Sequence, residues 1–190
     1  MHQPNRATPA FLPAQWATAR LAIRDCSLPD TPRLQAIFNA CHYVEPWDKT
    51  FYLVSEQEIA ELVRQSLRVD DEHRRFRLQC ICLRQEPDII VGYVHLHHGV
   101  PTAQLVFISM FVMHPDYQQQ HFGQEIIAGL AAQLQSLGYE ALRLDIFLKN
   151  WPALRFWIKA GFTTILEYEG DATHTPTGHA SLLLEHRLGL

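Results

Sequence analysis

The chain has 190 residues, 47% of them hydrophobic, which is enough for one domain with a substantial core and too few for two ordinary domains. Its 16 Lys and Arg residues nearly balance its 20 Asp and Glu residues, and no run of like charge suits a nucleic-acid-binding arm or a polybasic membrane patch. No apolar stretch reaches the roughly 18 residues that span a bilayer, and the N-terminus lacks the order of a signal peptide. We therefore expect a cytoplasmic protein without nucleic-acid or membrane partners.

The N-terminal part of the chain contains prolines and little periodic pattern. We interpret residues 1–17 as an extension and residues 18–190 as a single domain. Alternation of apolar and polar residues then predicts a first strand within ATARLAIRDC.

Two helices are predicted next. The first has Asp30 or Thr31 as its N-cap residue and ends near Glu45. The second begins after Ser55, because Ser55 and Glu58 have the spacing of a capping box, and apolar residues at helical spacing follow them.

Three strand-like runs occupy the middle of the chain. The turn sequence EPD separates the first two and predicts a hairpin of FRLQCICLRQ and IIVGYVHLHH. The third is almost wholly apolar, QLVFISMFVM, and predicts a strand buried on both faces in the middle of a sheet.

The rest of the chain alternates helices and strands. A helix is predicted from Phe122 to Leu137, with Gly138 as its stop, and a strand and a short helix follow it. TTILEYEG and HASLLLEHRL predict a final hairpin. This order of elements predicts an α+β fold with a mixed, mostly antiparallel central sheet and helices on both faces.

The segment VMHPDYQQQHFGQEII passes from strand to helix through a polar turn. Such a turn presents unpaired backbone N–H groups and the positive end of a helix dipole, which together bind phosphate. Gly123 allows close approach of a ligand, and Gln118, Gln119 and Gln120 add neutral donors. The turn predicts an anion-binding site, while capping or solubility remains an alternative role for the same residues.

Two stretches resemble a known pattern when they are taken together with the order of elements. The first has Gln118 at the head and Gly123 at the end of an Arg/Gln-x-x-Gly-x-Gly/Ala-like turn that follows a strand and opens a helix. In the second, a strand is followed by Asn150 and a short helix that ends in Gly161 and Phe162. From about residue 20 to 188 the chain resembles the GNAT family of acyl-CoA N-acyltransferases.

The resemblance implies an acyl-CoA co-substrate, with acetyl-CoA the expected donor, and an acceptor that is a primary amine of a small molecule or a protein. It implies a central strand that splays from its neighbour, direct attack of the amine on the thioester, and no metal. The diphosphate would lie on the main-chain amides of residues 119–124. The residues expected to bind the cofactor are Phe111, Val112, Met113, Gln118, Gln119, Gln120, His121, Phe122, Gly123, Gln124 and Asn150.

Two residues depart from the family pattern. His121 stands where the family usually has the first glycine of the turn, and its Cβ is expected to alter the backbone path and to narrow the phosphate site. Two alternatives stay open, a protonated His121 that contacts phosphate and a solvated histidine. Trp157 stands where many relatives have a tyrosine that protonates the leaving thiolate, and an indole N–H donates hydrogen bonds without acting as an acid.

The general base cannot be assigned from the sequence, because the central strand carries no carboxylate. Glu45 and Asp145 are the candidates by location, with Asp48, His95 and His97 as further ones. For each of them, a solvated or ion-paired surface residue is the alternative.

His95 and His97 share one face of a strand and, with Cys80 and Cys82 on the strand before it, could be metal ligands. Hairpin pairing argues against a zinc site, because it places Cys82 near Val91 and both histidines farther along the sheet.

Three further points stay open. Without an acid and a base, a non-catalytic acyl-CoA-binding or regulatory module is the alternative to an enzyme. A nucleotide-binding domain is disfavoured, since the turn lacks the lysine and hydroxyl that follow a P-loop. The chain could assemble as a homodimer. The aromatic segment HYVEPWDKTFY is a candidate wall of the acceptor pocket.

Overall fold

The computed structural model describes residues 8–68 and 76–189. These residues form eight strands and four helices. The strands are β1 Gln15–Ala17, β2 Leu21–Asp25, β3 Phe76–Leu83, β4 Ile90–His98, β5 Leu105–Met113, β6 Ala141–Phe147, β7 Thr164–Gly170 and β8 Ala180–Arg187. The helices are α1 Thr31–Ala40, α2 Glu56–Ser66, α3 Phe122–Ser136 and α4 Trp151–Lys159.

All eight strands belong to one sheet in the order β1-β2-β3-β4-β5-β6-β8-β7. Neighbouring strands are antiparallel except β5 and β6, which are parallel. The predicted mixed, mostly antiparallel sheet is therefore confirmed, as are both predicted hairpins.

The helices cover both faces of the sheet, as predicted. Apolar residues of α3 and α4, such as Ile126 and Trp157, share one buried cluster with β5 and β6. Apolar residues of α1 and α2, such as Ile37 and Val63, form a second buried cluster against β3 and β4. No helix in the described ranges is both long and apolar enough to cross a bilayer.

Local capping sets the helix ends. The Ser55 and Glu58 capping box is present at the start of α2, and Asp30 is the N-cap residue of α1. Helix α1 ends at Ala40, earlier than predicted, because the chain tightens into the 3-10 turn His42–Val44. The N–H of Gly138 bonds to a carbonyl of α3 and the residue takes a φ of 92°, so it stops that helix as predicted.

Strand β1 comes from the segment that the sequence analysis interpreted as an extension. It pairs with β2, and Leu12 and Trp16 are buried in the core with 1% and 8% exposure. The part of the extension from residue 8 onward is thus packed against the rest of the fold. Residues 1–7 lie outside the described residues.

Strand β5 is not buried on both faces along its whole length, so that prediction is wrong in its middle. Ser109 is exposed, and Met110 and Phe111 are only partly buried. The pairing with β4 shifts at this point, from His95 with Met110 to Leu96 with Ile108, which leaves Ser109 as the extra residue of a bulge.

Candidate functional site

The site begins where β5 and β6 separate. These parallel strands pair at only three positions, ending with Phe107 and Arg143, and no further pairing between them is recorded. From Ile108 onward, β5 therefore has one hydrogen-bonding edge that β6 does not use. This divergence opens a cleft of about 650 Å³ beside the end of β5, within the size range of small-ligand sites.

Four segments line the cleft. They are the connection after α1, the end of β5, the turn into α3, and α4 with the residue before it. The lining residues are Cys41, Tyr43, Val44, Trp47, Phe51, Phe111, Val112, Met113, Tyr117, Gln118, Gln119, His121, Gly123, Gln124, Asn150, Pro152, Ala153, Arg155, Phe156, Trp157 and Lys159.

The turn into α3 presents a series of free backbone donors. No main-chain hydrogen bond is recorded from the N–H groups of residues 119–124 to any other described residue. Gln119 and His121 both have left-handed backbone, with φ of 59° and 63°. Residues that alternate in handedness turn successive N–H groups toward one side, and the helix dipole adds positive potential there. The geometry is that of an anion-binding turn.

His121 thus keeps the type of backbone that glycine favours, although it has a Cβ. Its side chain is exposed, and its Nδ1 lies 2.8 Å from Oε1 of Gln124. The Cβ of His121 was expected to change the backbone path of the turn. It does not do so by itself, because non-glycine residues can adopt the left-handed conformation at a modest energetic cost.

Gln118 is held by the protein on both sides of its amide. Its Nε2 donates to the carbonyl of Met113 at 2.9 Å, and its Oε1 accepts from the hydroxyl of Tyr43 at 3.0 Å. The side chain thereby ties the turn to the end of β5 and to the connection after α1. The Gln118 side chain therefore positions the turn. It is not the free hydrogen-bond donor that the sequence suggested.

Gly123 lies where α3 and α4 approach each other closely. A Cβ on Gly123 would lie 3.0 Å from Cε2 of Phe156 and 3.5 Å from Cε1 of Phe111. The rings of Phe111 and Phe156 are stacked with their centroids 5.8 Å apart. A Cβ here would press on the ring of Phe156, so this aromatic contact favours glycine at position 123.

Asn150 is buried, and its side chain contacts two separate segments of the chain. Its Oδ1 accepts from the N–H of Ala153, which caps α4, and its Nδ2 donates to Oδ2 of Asp48 at 3.1 Å. Asp48 is itself buried and accepts from the N–H and hydroxyl of Thr50. One amide hydrogen of Asn150 remains for a ligand, since this group donates twice.

Nine of the eleven residues expected to bind the cofactor line this one cleft, whereas Gln120 and Phe122 do not. The Gln120 side chain donates to the carbonyl of Asp116, and Phe122 is buried beneath the guanidinium of Arg20. Two cations of the lining, Arg155 and Lys159, were not predicted from the sequence. Their spacing of four residues on a helix that also contributes Phe156 is a signal that could have found them.

The candidate general bases do not line the cleft. Asp145 is exposed and lines a separate cavity of about 220 Å³ with Glu167 and Glu169. Partial desolvation of its carboxyl group within this cavity, together with the charges of Glu169 and Glu167, raises the pKa of Asp145 above its usual range. Glu45 is half-buried in the connection after α1, next to lining residues but not among them.

His95 and His97 also lie away from the cleft. They pair with Leu78 and Phe76 on β3, as predicted from the position of the hairpin turn. Cys82 pairs with Ile90 instead of Val91, because a bulge shifts the register between Ile81 and Cys82. Burial and the adjacent His97 lower the pKa of His95 to about 3. Within the described ranges, no group of three His, Cys, Asp or Glu side chains is arranged to hold a metal ion.

Trp157 is 7% exposed and contributes to the wall of the cleft. Its ring packs edge-on against Phe111, Phe156 and Phe162. No described residue accepts a hydrogen bond from its indole N–H, which leaves one donor in the wall without a protein partner.

The chain is similar to known proteins at two levels. Residues 32–162 match the model of the acetyltransferase (GNAT) family, and this match covers more than half of the chain. Among curated protein sequences, no significant match was found.

Solved structures share the fold at low sequence identity. An acetyltransferase from Thermus thermophilus superposes with a TM-score of 0.68 at 23% identity, covering 90% of this chain and 99% of that one. A probable acetyltransferase of the GNAT family from Chromobacterium violaceum has a TM-score of 0.77 at 13% identity, covering 98% and 93%. RimL, a ribosomal L7/L12 alpha-N-protein acetyltransferase in complex with coenzyme A, has a TM-score of 0.71 at 13% identity, covering 93% and 97%.

Proposed function

Because the chain belongs to the GNAT acetyltransferase family, we propose that it transfers the acetyl group of acetyl-CoA to a primary amine of a small molecule or a protein. The observation that carries the proposal is the continuity of the cleft. The free edge of β5, the open N–H groups of residues 119–124 and the buried Asn150 border the same space. A long ligand with an anionic part and an amide-bearing arm fits this combination of groups.

The residues of the cleft suit the parts of coenzyme A. The N–H groups at the start of α3 would hold the diphosphate, and the unpaired edge of β5 near Val112 would pair with the amides of the pantetheine arm. The second amide hydrogen of Asn150 is available to the same arm. When bound, acetyl-CoA supplies an acyl group activated as a thioester.

The transfer requires no covalent intermediate on the protein. The amine nitrogen attacks the thioester carbonyl carbon, the carbon–sulfur bond breaks, and coenzyme A leaves as a thiolate. A backbone N–H at the end of β5 would stabilise the negative charge that develops on the carbonyl oxygen. The indole N–H of Trp157 can donate a hydrogen bond to the thiolate of coenzyme A. Water supplies the proton that converts this thiolate to a thiol.

The amine must lose one proton, and Asp145 or Glu45, which lie outside the cleft, would accept it through water. A raised pKa makes Asp145 a stronger base than an ordinary carboxylate, but it also restricts the deprotonated form to higher pH. Both carboxylates are therefore candidates for the general base.

We also propose that the protein is cytoplasmic and that it forms a homodimer.

Ligand binding is the first test of the proposal. A thermal-shift titration of the full chain with acetyl-CoA, coenzyme A and ATP should raise the unfolding midpoint with both CoA species and not with ATP, because a ligand of the native state stabilises by mass action. A midpoint unchanged by all three ligands would overturn the proposal.

Variants of the turn sharpen this test. Gly123→Glu and Gln124→Glu each place a carboxylate at the start of α3, where it should repel the diphosphate and abolish binding measured by calorimetry. Ala128→Glu adds the same charge to an exposed position of the same helix and should bind normally. Equal affinity in all three variants would exclude this turn as the diphosphate site.

Turnover separates the enzyme from its alternative. Release of free CoA thiol from acetyl-CoA should depend on an added amine, tested with a panel of small amines and of peptides with free N-termini. Binding of CoA without turnover on any member of the panel would favour a non-catalytic acyl-CoA-binding module.

A further inference from the structure

The cleft is rich in aromatic side chains. Seven of its 21 lining residues are aromatic, a third of the lining, whereas aromatic residues make up 11% of the whole chain. Three of the seven, Tyr43, Trp47 and Phe51, belong to the connection between α1 and α2. A ligand that enters the cleft therefore meets ring surfaces.

The connection between α1 and α2 is held in place by hydrogen bonds to the other segments of the cleft. The hydroxyl of Tyr43 donates to Oε1 of Gln118 at 3.0 Å, in the segment that leads into α3. Asp48 accepts from Nδ2 of Asn150 at 3.1 Å, at the start of α4. Trp47 lies between these two anchors in the chain, so its backbone is fixed before a ligand binds.

The side chain of Trp47 is open to a ligand. It is 41% exposed, and within the described ranges no ring contact or hydrogen bond of this side chain is recorded. Phe51 differs, because its ring stacks on Phe38 with the centroids 5.4 Å apart. An exposed indole in the wall of a cleft gains free energy when a second aromatic ring packs against it.

The charge of the lining restricts which amines can enter. Arg155 and Lys159 line the cleft, and among the described residues its lining has no Asp or Glu. A ligand with several ammonium groups would be repelled by these cations and would find no carboxylate to pair with. The carboxylates of Asp145, Glu167 and Glu169 line the separate cavity instead.

An aromatic lining also favours the reactive form of the acceptor. Only a neutral amine can attack the thioester, and desolvation against apolar surface disfavours the charged ammonium form. Without a carboxylate in the lining, the ammonium form gains no opposite charge that would offset this cost. The walls and the charges thus favour the same acceptor, one that has a single amine and an aromatic body.

We propose that the acceptor is an aromatic monoamine whose ring stacks on Trp47, which makes Trp47 a specificity-determining residue. This inference rests on the proposed function, because the amine has to reach the thioester of acetyl-CoA in the same cleft. Polyamines and the lysine side chains of basic peptides are then poor acceptors, since they carry further positive charges into the cleft.

The experiment compares acceptors on matched variants. Release of CoA thiol from acetyl-CoA would be measured with phenylethylamine, butylamine, spermidine and an N-terminally blocked lysine peptide. The proteins are the full wild-type chain, Trp47→Ala, Trp47→Phe and Tyr52→Ala. Tyr52 is the matched control, because it is an aromatic residue of the same connection, 53% exposed and outside the lining.

Two further measurements complete the design. Calorimetry with CoA and the unfolding midpoint would verify that each variant is folded and binds the co-substrate. Phenylacetyl-CoA would be compared with acetyl-CoA as the donor, because an aromatic acyl group is a competing occupant of the same wall.

The wild type should have a kcat/KM for phenylethylamine at least about tenfold above the values for butylamine and spermidine. Trp47→Ala should raise the KM for phenylethylamine at least about fivefold and leave the KM for butylamine and the affinity for CoA unchanged. Trp47→Phe should keep part of the preference, and Tyr52→Ala should behave as the wild type. A purely structural role of Trp47 would affect both amines equally, so the ratio of their kcat/KM values separates the two roles.

Four results would overturn the inference. A preference of the wild type for spermidine or the peptide would assign a polycationic acceptor and leave the proposed function intact. An unchanged ratio in Trp47→Ala would remove this ring from acceptor recognition. A preference for phenylacetyl-CoA that Trp47→Ala abolishes would assign the wall to the acyl group. Failure to bind CoA, or binding without turnover of any amine, would overturn the proposed transfer itself, and this inference with it.

Discussion

At the scale of single residues, His121 shows how a turn tolerates a departure from glycine. A left-handed φ of 63° costs a non-glycine residue about 1 to 2 kcal/mol relative to glycine, and the contact with Gln124 offsets part of this cost. The turn therefore keeps its open N–H groups without glycine at this position.

His121→Gly should raise the free energy of unfolding by about 0.5 to 1 kcal/mol, because it removes the strained side chain. The affinity for CoA should stay the same or improve. Gln120→Gly is the matched control, since Gln120 has no positive φ, and there glycine should lower stability. A clear loss of CoA affinity in His121→Gly would mean that the ring contacts the ligand.

His95 gives a pH dependence with a definite sign. Burial and then His97 depress its pKa from the ordinary 6.5 to about 3, so the folded protein keeps this ring neutral while the unfolded chain binds a proton. The stability contributed by the neutral ring is complete above pH 6.5. It falls as the pH drops from 6.5 toward 3, because the unfolded state binds more protons in that window.

Replacing His95 with Gln should flatten this part of the stability curve, measured as the unfolding midpoint between pH 7 and pH 4. His42, an exposed ring whose Nδ1 lies 2.8 Å from the carbonyl oxygen of Phe51, is the control position for the same substitution. A slope that His95→Gln leaves unchanged would contradict the assignment of this titration to His95.

At the scale of elements, strand β1 illustrates how a three-residue strand is stabilised. Trp16 packs against Gly129 of α3, where a Cβ would lie 3.0 Å from its Cζ3 atom. Its Nε1 donates to the buried Oε1 of Gln79 at 2.9 Å. One large side chain thus joins the edge of the sheet to a helix and satisfies a buried amide.

Trp16→Ala should lower the free energy of unfolding by about 3 kcal/mol, because it leaves a cavity and an unpaired Gln79 acceptor. Chemical denaturation would measure this loss. The adjacent exposed Gln15 is the control, and Gln15→Ala should change stability by less than about 0.5 kcal/mol. A loss below about 1 kcal/mol in Trp16→Ala would mean that β1 contributes little to the fold.

At the scale of the whole molecule, one buried hydrogen bond connects the two sides of the cleft. Asp48 belongs to the connection between α1 and α2, while Asn150 joins β6 to α4, and the two are 102 positions apart in the chain. The bond fixes the residue that caps α4 relative to the aromatic wall that contains Trp47 and Phe51.

A double-mutant cycle of Asp48→Ala and Asn150→Ala should give a coupling free energy of about 1 kcal/mol in unfolding. Asn150→Ala should also weaken CoA binding by about 1 kcal/mol, the value of one net hydrogen bond. Asp48→Ala should weaken it too, although Asp48 is not part of the lining. Asn150→Ala combined with Ser66→Ala is the control pair, and their effects on the free energy of unfolding should add. If the effects of Asp48→Ala and Asn150→Ala also add, the two residues are not coupled.

Local patterns in the sequence were sufficient for the order of elements from β2 onward, the Ser55 capping box, the stop at Gly138 and the register that pairs Leu78 with His95. Each of these depends on residues within a few positions of one another, or on a short hairpin. The motifs around Gln118 and Asn150 also predicted nine residues that prove to line one cleft.

Only the tertiary structure decided where β5 and β6 stop pairing, that the Gln118 side chain faces the protein, and that Asp145 and Glu45 lie outside the cleft. It also decided that the cations of α4 lie beside the start of α3. The physical reason is that each of these facts depends on contacts between segments far apart in the chain. Helical and strand periodicity specify which face of an element is apolar, but they do not specify which distant element meets its polar side chains.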